Sequence, residues 1–259
     1  MELDTIICGD NVTVLRDWPA ECVDLVVTSP PYDNLRKYGG HTWDFPGVAA
    51  ELTRVLKPGG VIVWVVADAT VNGSETLTSM RQAIHFHDVC GLNVHDTMIY
   101  QKENTGGARG SNLGYWQAWE YMLILSKGNP RATNLIEDRR NVRAGQSYIG
   151  GGRRNSDGTT EACFRMKAEQ FGRRTNIWKF STADLGCDHP APFPEALARD
   201  HILSWSNPGD VVLDPFAGSC TTCKMAKLMG RRWIAIEICE AYCEIGRNRL
   251  RQEVFEFSE

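Results

Sequence analysis

A hydroxyl group, two consecutive prolines and a phenol follow an early apolar run of the chain, and together they could hold an amino group on a flat ring. The run, Val23–Val27, predicts a buried strand of a parallel sheet. Two prolines must end that strand, because each lacks an N–H and has a fixed φ. Open α/β sheets bind ligands at the carboxyl ends of their strands. The residues at that end are Thr28, Ser29, Pro30, Pro31 and Tyr32.

A strand, a glycine-containing turn and a helix start near the C-terminus could surround a nucleotide-like ligand. Glycine lets the backbone approach a ligand closely, and a helix start offers free N–H groups at the positive end of the helix dipole. Glu237 ends the next strand, where its carboxylate could accept both hydroxyls of a ribose. The predicted contacts are Asp214, Pro215, Phe216, Gly218, Ser219, Thr221, Thr222 and Glu237.

Two other interpretations of this C-terminal segment stay open. Dinucleotide-binding proteins share the layout of strand, turn, helix and acidic residue. The glycines here do not follow the G-x-G-x-x-G pattern, which counts against a pyrophosphate site and therefore against a nicotinamide oxidoreductase. A strand, turn and helix that bind no ligand form the structural alternative.

Short apolar runs alternate with amphipathic stretches, which is typical of a parallel sheet covered by helices on both faces. We therefore expect an α/β fold with a doubly wound, Rossmann-like, mostly parallel sheet of seven strands. The predicted strands are Thr5–Cys8, Val23–Thr28, Val61–Val66, His95–Gln101, Tyr121–Leu125, Val211–Asp214 and Trp233–Ile236. The predicted helices are Val12–Trp18, Pro46–Leu56, Glu75–Cys90, Pro194–Ser204, Thr221–Met229 and Glu240–Glu253.

Composition narrows the class of protein. The chain has 259 residues, which is enough for one large α/β domain or two small ones, and its composition of 42% hydrophobic and 23% charged residues is typical of a globular protein. No apolar stretch approaches the roughly 20 residues of a membrane helix, and the acidic N-terminus predicts no signal peptide. Nine scattered cysteines without a secretory signal indicate reduced thiols, so we expect a cytoplasmic protein.

A basic, glycine-rich segment interrupts the alternation at residues 127–176. Its portion 137–174 holds nine Lys and Arg against five Asp and Glu, a net charge of +4, whereas the whole chain carries −4. Such a segment is the expected footprint of a phosphate-contacting insert, and a solvated basic loop is the alternative. The candidate DNA contacts are Arg139, Arg140, Arg143, Arg153, Arg154, Arg173 and Arg174, with Arg36 and Lys37 after the proline turn.

Several ordered motifs resemble one known family over most of the chain. Ser29–Tyr32, and Asp214–Thr222 followed by Trp233–Glu237, resemble the catalytic and cofactor motifs of DNA methyltransferases that modify exocyclic amines. The catalytic motif comes first, as in the permuted β class of that N4-cytosine/N6-adenine family. Further similar elements are Gly9-Asp10, Leu56–Gly60, Glu120–Lys127 and His189–Glu195.

The resemblance implies S-adenosylmethionine as cofactor and double-stranded DNA as partner. It implies one methyltransferase domain over residues 1–259, with 127–176 as an inserted target-recognition region. It also implies that Ser29 Oγ and the Pro30 carbonyl accept the N–H bonds of a flipped base on which Tyr32 stacks. Serine at the first motif position favours N4 of cytosine over N6 of adenine. Further implied cofactor contacts are Asp10, Thr28, Pro192 and Phe193.

The same resemblance allows a homodimer and a cognate restriction endonuclease, in a bacterium, an archaeon or a phage. Two functional alternatives stay open beside it. A methyltransferase that acts on RNA or on a protein amide could use a related catalytic turn. A catalytically weak DNA-binding subunit is the other, because Cys220 stands where the family usually has glycine. We expect a helix-start φ to accommodate Cys220 without strain.

Cysteine chemistry is not predicted at this site. Methylation at C5 of cytosine would need a cysteine nucleophile in the setting that follows a proline, and no cysteine of the chain follows one. Cys220 and Cys223, with Cys239 and Cys243, could bind zinc only if their helices converge. We therefore predict packed thiols and no metal site.

Overall fold

The computed structural model describes residues 1–31, 43–103, 115, 117–152, 154–160, 163–181 and 194–251. The chain divides into a larger unit, Met1–Asn134 with Asn176–Glu259, and a smaller unit, Leu135–Thr175. No helix among the described residues has the length and apolar character needed to cross a membrane. The predicted site residues that lie outside the described ranges are Tyr32, Arg36, Lys37, Arg153, Pro192 and Phe193.

Strands and helices alternate over residues 5–66 and 195–251, as the apolar pattern predicts, whereas the strands between residues 93 and 181 follow one another without a helix among the described residues. The strands are β1 Thr5–Cys8, β2 Val23–Thr28, β3 Leu56–Val66, β4 Thr70–Val71, β5 Ser74–Glu75, β6 Asn93–Glu103, β7 Trp119–Ser126, β8 Arg139–Arg140, β9 Ser147–Gly151, β10 Cys163–Lys167, β11 Phe171–Gly172, β12 Ile177–Ser181, β13 Val211–Asp214 and β14 Arg232–Glu237. The helices are α1 Asn11–Arg16, α2 Phe45–Val55, α3 Thr78–Asp88, α4 Glu195–Trp205, α5 Thr221–Leu228 and α6 Glu240–Arg251.

The main sheet has eight strands in the order β1-β14-β13-β2-β3-β7-β6-β12. All neighbouring pairs are parallel except the two that involve β7, which runs antiparallel to β3 and to β6. The chain leaves β2 through α2 toward β3, whereas it leaves β13 through α5 toward β14 on the opposite side. A doubly wound sheet therefore changes winding direction between β13 and β2. Such a switch opens a crevice at the carboxyl ends of the two strands.

Helices cover both faces of the sheet, which confirms the predicted fold class. Alternate strand residues such as Val26 and Ile62 join one buried apolar cluster with side chains of α1, α2 and α3. Leu25 and Val27, the intervening residues of β2, are fully buried too. Since successive strand side chains point to opposite faces, those residues face the helices of the second layer. Burial on both faces explains why these strands are continuous apolar runs.

Apart from small shifts in the bounds of elements, the larger unit differs from the prediction in three places. β12 is an eighth strand that the sequence analysis missed, and it pairs in parallel with the edge strand β6. The helix predicted from Glu75 begins at Thr78, because Ser74 and Glu75 pair with β4 in a short hairpin. β3 begins at Leu56, five residues earlier than predicted. Its pairing with β2 is irregular at this start, and the irregular part contains Gly59, whose φ is +76°.

The smaller unit is a two-stranded antiparallel ribbon, a structure that the sequence analysis did not predict. β8 pairs with β11, and β9 pairs with β10 farther along the ribbon. Backbone hydrogen bonds continue between the two pairs, since Gly145 donates to Ala168 at 2.8 Å and Ala168 donates to Gln146 at 2.9 Å. The ribbon carries most of the arginines predicted to contact DNA.

Candidate active site

The proline turn begins where β2 ends, as the sequence predicts. Thr28 is the last residue of the strand and is buried. Ser29 and Pro31 are half-buried and Pro30 is buried, so this turn lies at the edge of the core with partial access to solvent. The turn therefore sits at the carboxyl edge of the sheet, beside the change of winding direction.

Thr28 and Asp214 connect the proline turn to the C-terminal turn across the two central strands. Thr28 Oγ1 donates a hydrogen bond of 2.7 Å to Asp214 Oδ1, although the residues are 186 positions apart. Thr222 Oγ1 donates to the Val27 carbonyl at 3.1 Å and so ties the start of α5 to the same strand. Both bonds are buried. The two segments that the sequence singled out therefore meet in one place.

Burial dominates the electrostatics of Asp214. Removal from water raises the pKa of its carboxyl group to about 6, while hydrogen bonds from Thr28 and the Phe216 amide oppose the shift. The negative charge of Glu237 adds to the rise. A hydrogen-bond contribution from Thr222 opposes the rise as well. Together, Asp214 and Glu237 give this edge of the sheet a negative character that suits a cationic ligand.

Glu237 is held by the backbone rather than by other side chains. Its Oε2 accepts a hydrogen bond of 2.8 Å from the Gly218 amide, and its Oε1 accepts one of 2.9 Å from the Cys239 amide. The first bond links the glycine turn to the end of β14. Each oxygen retains a further lone pair, so the carboxylate can still accept hydrogen bonds from a diol. Asn11 Nδ2 donates to the Pro215 carbonyl at 3.0 Å and anchors the turn from α1.

Cys220 does not adopt the conformation expected from the sequence. It precedes α5 with φ 60° and ψ 34°, in the left-handed region, and its side chain makes no capping bond. A residue with a Cβ is disfavoured there by roughly 1–2 kcal/mol, which is why glycine suits the position. The expectation of an unstrained helix-start φ was therefore wrong. Burial raises the pKa of the Cys220 thiol far above its usual value, so the group is an inert packed thiol.

Arg249 of α6 fixes two of the predicted cofactor residues, and the sequence analysis missed it. Its Nη1 donates to Ser219 Oγ at 2.8 Å and to Thr221 Oγ1 at 3.0 Å, and its Nη2 donates to Glu195 Oε1 at 2.8 Å. Lys224 Nζ contacts the same Glu195 oxygen at 2.6 Å. Each hydroxyl accepts a hydrogen bond from the guanidinium, and the two hydroxyl oxygens lie 3.5 Å apart. Nothing in the sequence distinguishes Arg249 from its neighbours on α6.

Aromatic rings line one side of the C-terminal turn. Phe216 is half-buried and packs edge-on against Trp43, with ring centroids 5.1 Å apart. Trp64 lies 6.2 Å from Phe216, is fully buried, and donates Nε1–H to Gln82 Oε1 at 2.8 Å. Trp64 is therefore a core residue whose N–H has a hydrogen-bond partner. Its buried ring packs against Phe216 and restricts the orientation of that side chain.

Asp10 lies at the same edge of the sheet but serves the protein locally. Its Oδ1 accepts hydrogen bonds from Thr13 N at 2.9 Å and from Thr13 Oγ1 at 2.8 Å, which caps the start of α1. The side chain is exposed. The predicted cofactor contact of Asp10 stays a prediction.

The described arginines of the ribbon fall into two groups. Arg174 forms an ion pair with Asp138, donating from Nε at 3.0 and 3.1 Å, and Arg173 lies 3.7 Å from Glu137. In the other group, all members are exposed and make no ion pair with a described acidic residue. These are Arg139, Arg140, Arg143, Arg154 and Arg165. The sequence analysis did not single out Arg165.

Comparison with known proteins identifies the family of this chain. The DNA methylase family of the N6/N4 type matches residues 23–248, which is most of the chain. The protein belongs to the N6/N4 DNA methylase family. It is therefore an amino-group DNA methyltransferase by family, and the predicted resemblance is confirmed.

Three similar proteins place this N6/N4 DNA methylase among its relatives. The orphan methyltransferase M.BamHII of Bacillus amyloliquefaciens is 48% identical over 241 residues, which cover 90% of each chain. The DNA adenine methyltransferase YhdJ of Escherichia coli K12 is 28% identical over 96% of this chain and 83% of its own. TTHA0409 of Thermus thermophilus, solved in complex with S-adenosyl-L-methionine, is 26% identical with a TM-score of 0.64, covering 97% of this chain and 95% of its own.

Proposed function

We propose that this DNA methylase transfers a methyl group from S-adenosylmethionine to the exocyclic amine of a flipped base in a specific double-stranded DNA sequence, with N4 of cytosine favoured over N6 of adenine. The hydrogen bond between Thr28 and Asp214 carries the proposal, because it joins the candidate amine-binding turn to the candidate cofactor turn. Such a reaction takes place in the cytoplasm, where the DNA of a bacterium or of an infecting phage lies.

The residues at the switch between β13 and β2 suit S-adenosylmethionine. This cofactor combines a ribose, a cationic sulfonium and a charged amino group. Asp214 and Glu237 supply two acidic side chains for the cationic and hydroxyl groups, and the start of α5 supplies hydroxyls held by Arg249. A nicotinamide dinucleotide would bring two phosphates to this negative edge, which disfavours it. When bound, S-adenosylmethionine supplies an electrophilic methyl group.

The protein contributes to this reaction by positioning the amine against the methyl group. An exocyclic amine is a poor nucleophile because its lone pair is delocalised into the ring. Acceptance of both N–H bonds, by Ser29 Oγ and the Pro30 carbonyl, draws that lone pair toward the methyl carbon. The fixed turn after β2 restricts the orientation of both acceptors, and orientation can supply several kcal/mol of the barrier reduction. Ser29 is half-buried and Pro30 is buried, so the turn is partly shielded from water.

Preference for cytosine rests on the first motif residue. A serine hydroxyl at position 29 is both a donor and an acceptor, whereas a carboxylate only accepts. The hydroxyl can therefore accept a hydrogen bond from the N4 amine and donate its own proton elsewhere, and it adds no negative charge to the turn. Adenine presents a similar amine at N6, so the base itself is the first quantity to measure.

The ribbon of residues 135–175 is proposed as the recognition region. A two-stranded β-ribbon has dimensions that fit the major groove of B-DNA. Its exposed arginines without acidic partners among the described residues, such as Arg140 and Arg143, are free to contact phosphates or base edges. Its ion-paired arginines, such as Arg174, have the other task of holding the ribbon together.

A product analysis tests the proposal. The purified protein is incubated with unmethylated DNA and labelled S-adenosylmethionine, and the nucleosides are then separated by mass spectrometry. We expect N4-methylcytosine from the wild type and a loss of at least a hundredfold in rate for Ser29→Ala. Ser74→Ala, an exposed serine of the β4–β5 hairpin, serves as the matched control and should keep full activity.

The other outcomes separate the rival functions. N6-methyladenine as the product would keep the reaction and reverse the choice of base. Cofactor binding by calorimetry without any methylated nucleoside would favour an RNA or protein substrate. Absence of both binding and product would favour a non-catalytic DNA-binding subunit, in which the strained Cys220 has cost affinity for the cofactor.

A further inference from the structure

Two thiols and a carboxylate converge at the start of α6, away from the proline turn. Glu240 and Cys243 are three positions apart in the first turn of the helix and therefore share a face. Cys8 ends β1 and faces them. One ligand atom of each residue lies within 4.8 Å of the others, and among the described residues this is the group of three that comes so close.

The geometry of this cluster is set by three separate elements. Cys8 Sγ lies 3.8 Å from the Ile238 carbonyl, and Cys243 Sγ lies 3.6 Å from the Glu237 carbonyl. Both thiols therefore donate weak hydrogen bonds to the backbone that follows β14, which anchors the two sulfurs close together. Cys243 is buried, whereas Cys8 and Glu240 are exposed, so the cluster has a fixed inner ligand and an open outer side.

We propose that Cys8, Glu240 and Cys243 form a binding site for a thiophilic divalent cation, with zinc as the ion of best fit. Two thiolates and one carboxylate are a ligand set for zinc, and thiolates disfavour magnesium and calcium. Three protein ligands leave a fourth tetrahedral position for water on the exposed side. Binding converts two thiols to thiolates, and two protons pass to the solvent for each zinc ion bound.

Arg247 is the cation that opposes this site. Its Nη1 donates to Glu240 Oε1 at 2.6 Å and lies 3.3 Å from Glu244 Oε2. The carboxylate of Glu240 has a second oxygen for the metal, and Glu244 offers Arg247 another partner. Because like charges repel, the guanidinium lowers the affinity of the site for a divalent ion. Removal of Arg247 should therefore tighten binding, which an unspecific thiol effect would not predict.

This proposal differs from the sequence analysis, which assigned no metal and considered a different set of cysteines. Cys220, Cys223 and Cys239 are not part of the cluster. Cys8 belongs to it instead, and no spacing pattern links Cys8 with residues more than 230 positions away. The pairing of β1 with β14 brings them together.

Zinc titration of the reduced, metal-free protein tests the site. Zn²⁺ alone is added in competition with a chromophoric chelator, and Co²⁺ is used separately to detect thiolate coordination by its charge-transfer absorption. We expect one equivalent of Zn²⁺ bound by the wild type. Cys8→Ser and Glu240→Gln should each weaken binding at least tenfold, and both positions are exposed, so the variants should fold. Cys90→Ser, a half-buried thiol elsewhere, is the control and should bind as the wild type does.

Two further measurements make the result decisive. Arg247→Gln should raise the affinity for Zn²⁺ severalfold. Zinc should also raise the melting temperature of the wild type and not that of Cys8→Ser, because a ligand that binds the native state stabilises it. The proposal is overturned if the wild type binds no Zn²⁺ equivalent, if Cys8→Ser binds it equally well, or if Co²⁺ shows no thiolate absorption.

Discussion

Thr28 donates a 2.7 Å hydrogen bond to Asp214, and this buried contact joins the ends of the two strands at which the sheet changes its winding direction. The hydroxyl belongs to the strand that leads into the proline turn, and the carboxylate to the strand that leads into the glycine turn. A bond between a neutral donor and a buried carboxylate is worth roughly 1.5–3 kcal/mol. The hydrogen bond therefore holds the proline turn and the glycine turn at a fixed separation.

Thr28→Val should lower both stability and catalysis. Valine has nearly the shape of threonine, so the change removes the hydroxyl and leaves a buried carboxylate short of one donor. We expect a loss of about 1–3 kcal/mol in the free energy of unfolding. We also expect the rate of methyl transfer to fall by a larger factor than the change in stability alone would cause. Urea denaturation and single-turnover rates measure the two quantities. Thr53→Val is the control, because the Thr53 hydroxyl donates to a helix carbonyl and its removal leaves no buried carboxylate without a donor. Equal effects of the two changes would refute the special role of Thr28.

Asp214 should make the stability of the protein depend on pH in an unusual direction. Its pKa is raised from 3.8 to about 6, so between these values the native state binds more protons than the unfolded state. The stability contributed by this group is therefore greatest below pH 4 and falls as the pH rises to about 6, by roughly 1–3 kcal/mol. Asp214→Asn should remove this slope. Melting temperatures of both proteins between pH 4 and pH 8 test it: parallel curves would show that Asp214 does not titrate in this range.

Arg249→Ala should weaken cofactor binding more than it slows the chemical step. Arg249 holds the hydroxyls of Ser219 and Thr221, but it does not contact the proline turn in any described bond. We expect KM for S-adenosylmethionine to rise about tenfold, or 1.4 kcal/mol, with kcat within threefold of the wild type. Steady-state kinetics at saturating DNA measure the split.

Arg247→Ala provides the matched control for that experiment. It removes the same charge from the same helix, but Arg247 pairs with Glu240 and Glu244 at the surface. Its KM for S-adenosylmethionine should stay within twofold of the wild type. A similar rise in both variants would mean that net charge, not the contacts of Arg249, determines affinity.

Cys220 and Gly246 should show strong energetic coupling. A Cβ added at Gly246 would clash with Cys220 Sγ and would lie 3.2 Å from Cys220 Cβ, and both residues are buried. Gly246→Ala should therefore cost about 1–3 kcal/mol of stability. In a Cys220→Gly background the sulfur is gone and the same change should cost less than half as much. A double-mutant cycle by urea denaturation measures the difference, and additive effects would contradict the contact.

Arg140→Gln should weaken DNA binding, either uniformly across sequences or at one base, whereas the same change at an exposed arginine of the larger unit should not. If Arg140 contacts a phosphate, the slope of log K against log salt concentration should fall by about 1. Arg81→Gln on α3 makes the same change of charge on an exposed helix of the larger unit. Fluorescence anisotropy with a DNA duplex at several salt concentrations compares the two, and an unchanged slope for both would remove Arg140 from the interface.

Much of the candidate site could be predicted from residue types next to the ends of apolar runs. The proline turn after Val27, the glycine turn after Asp214 and the acid at Glu237 each follow a strand in the structure, as the sequence indicates. Arg249 could not be predicted, because an arginine near the end of an amphipathic helix is usually solvated and its contacts depend on how α6 packs on α5. The left-handed Cys220 was missed because residue type predicted an ordinary φ.

Local sequence patterns are enough to predict the class of fold, the six helices found among the described residues, seven of the strands and the motifs that identify the family. These properties depend on local periodicity and on residue types, which a chain carries from one position to the next. Tertiary structure decided that β2 lies beside β13 and that β1 lies beside β14. Strand order arises from packing between segments up to 230 residues apart, which no local pattern encodes. That long-range packing brings Thr28 to Asp214 in the candidate active site, and Cys8 to Cys243 in the proposed zinc site.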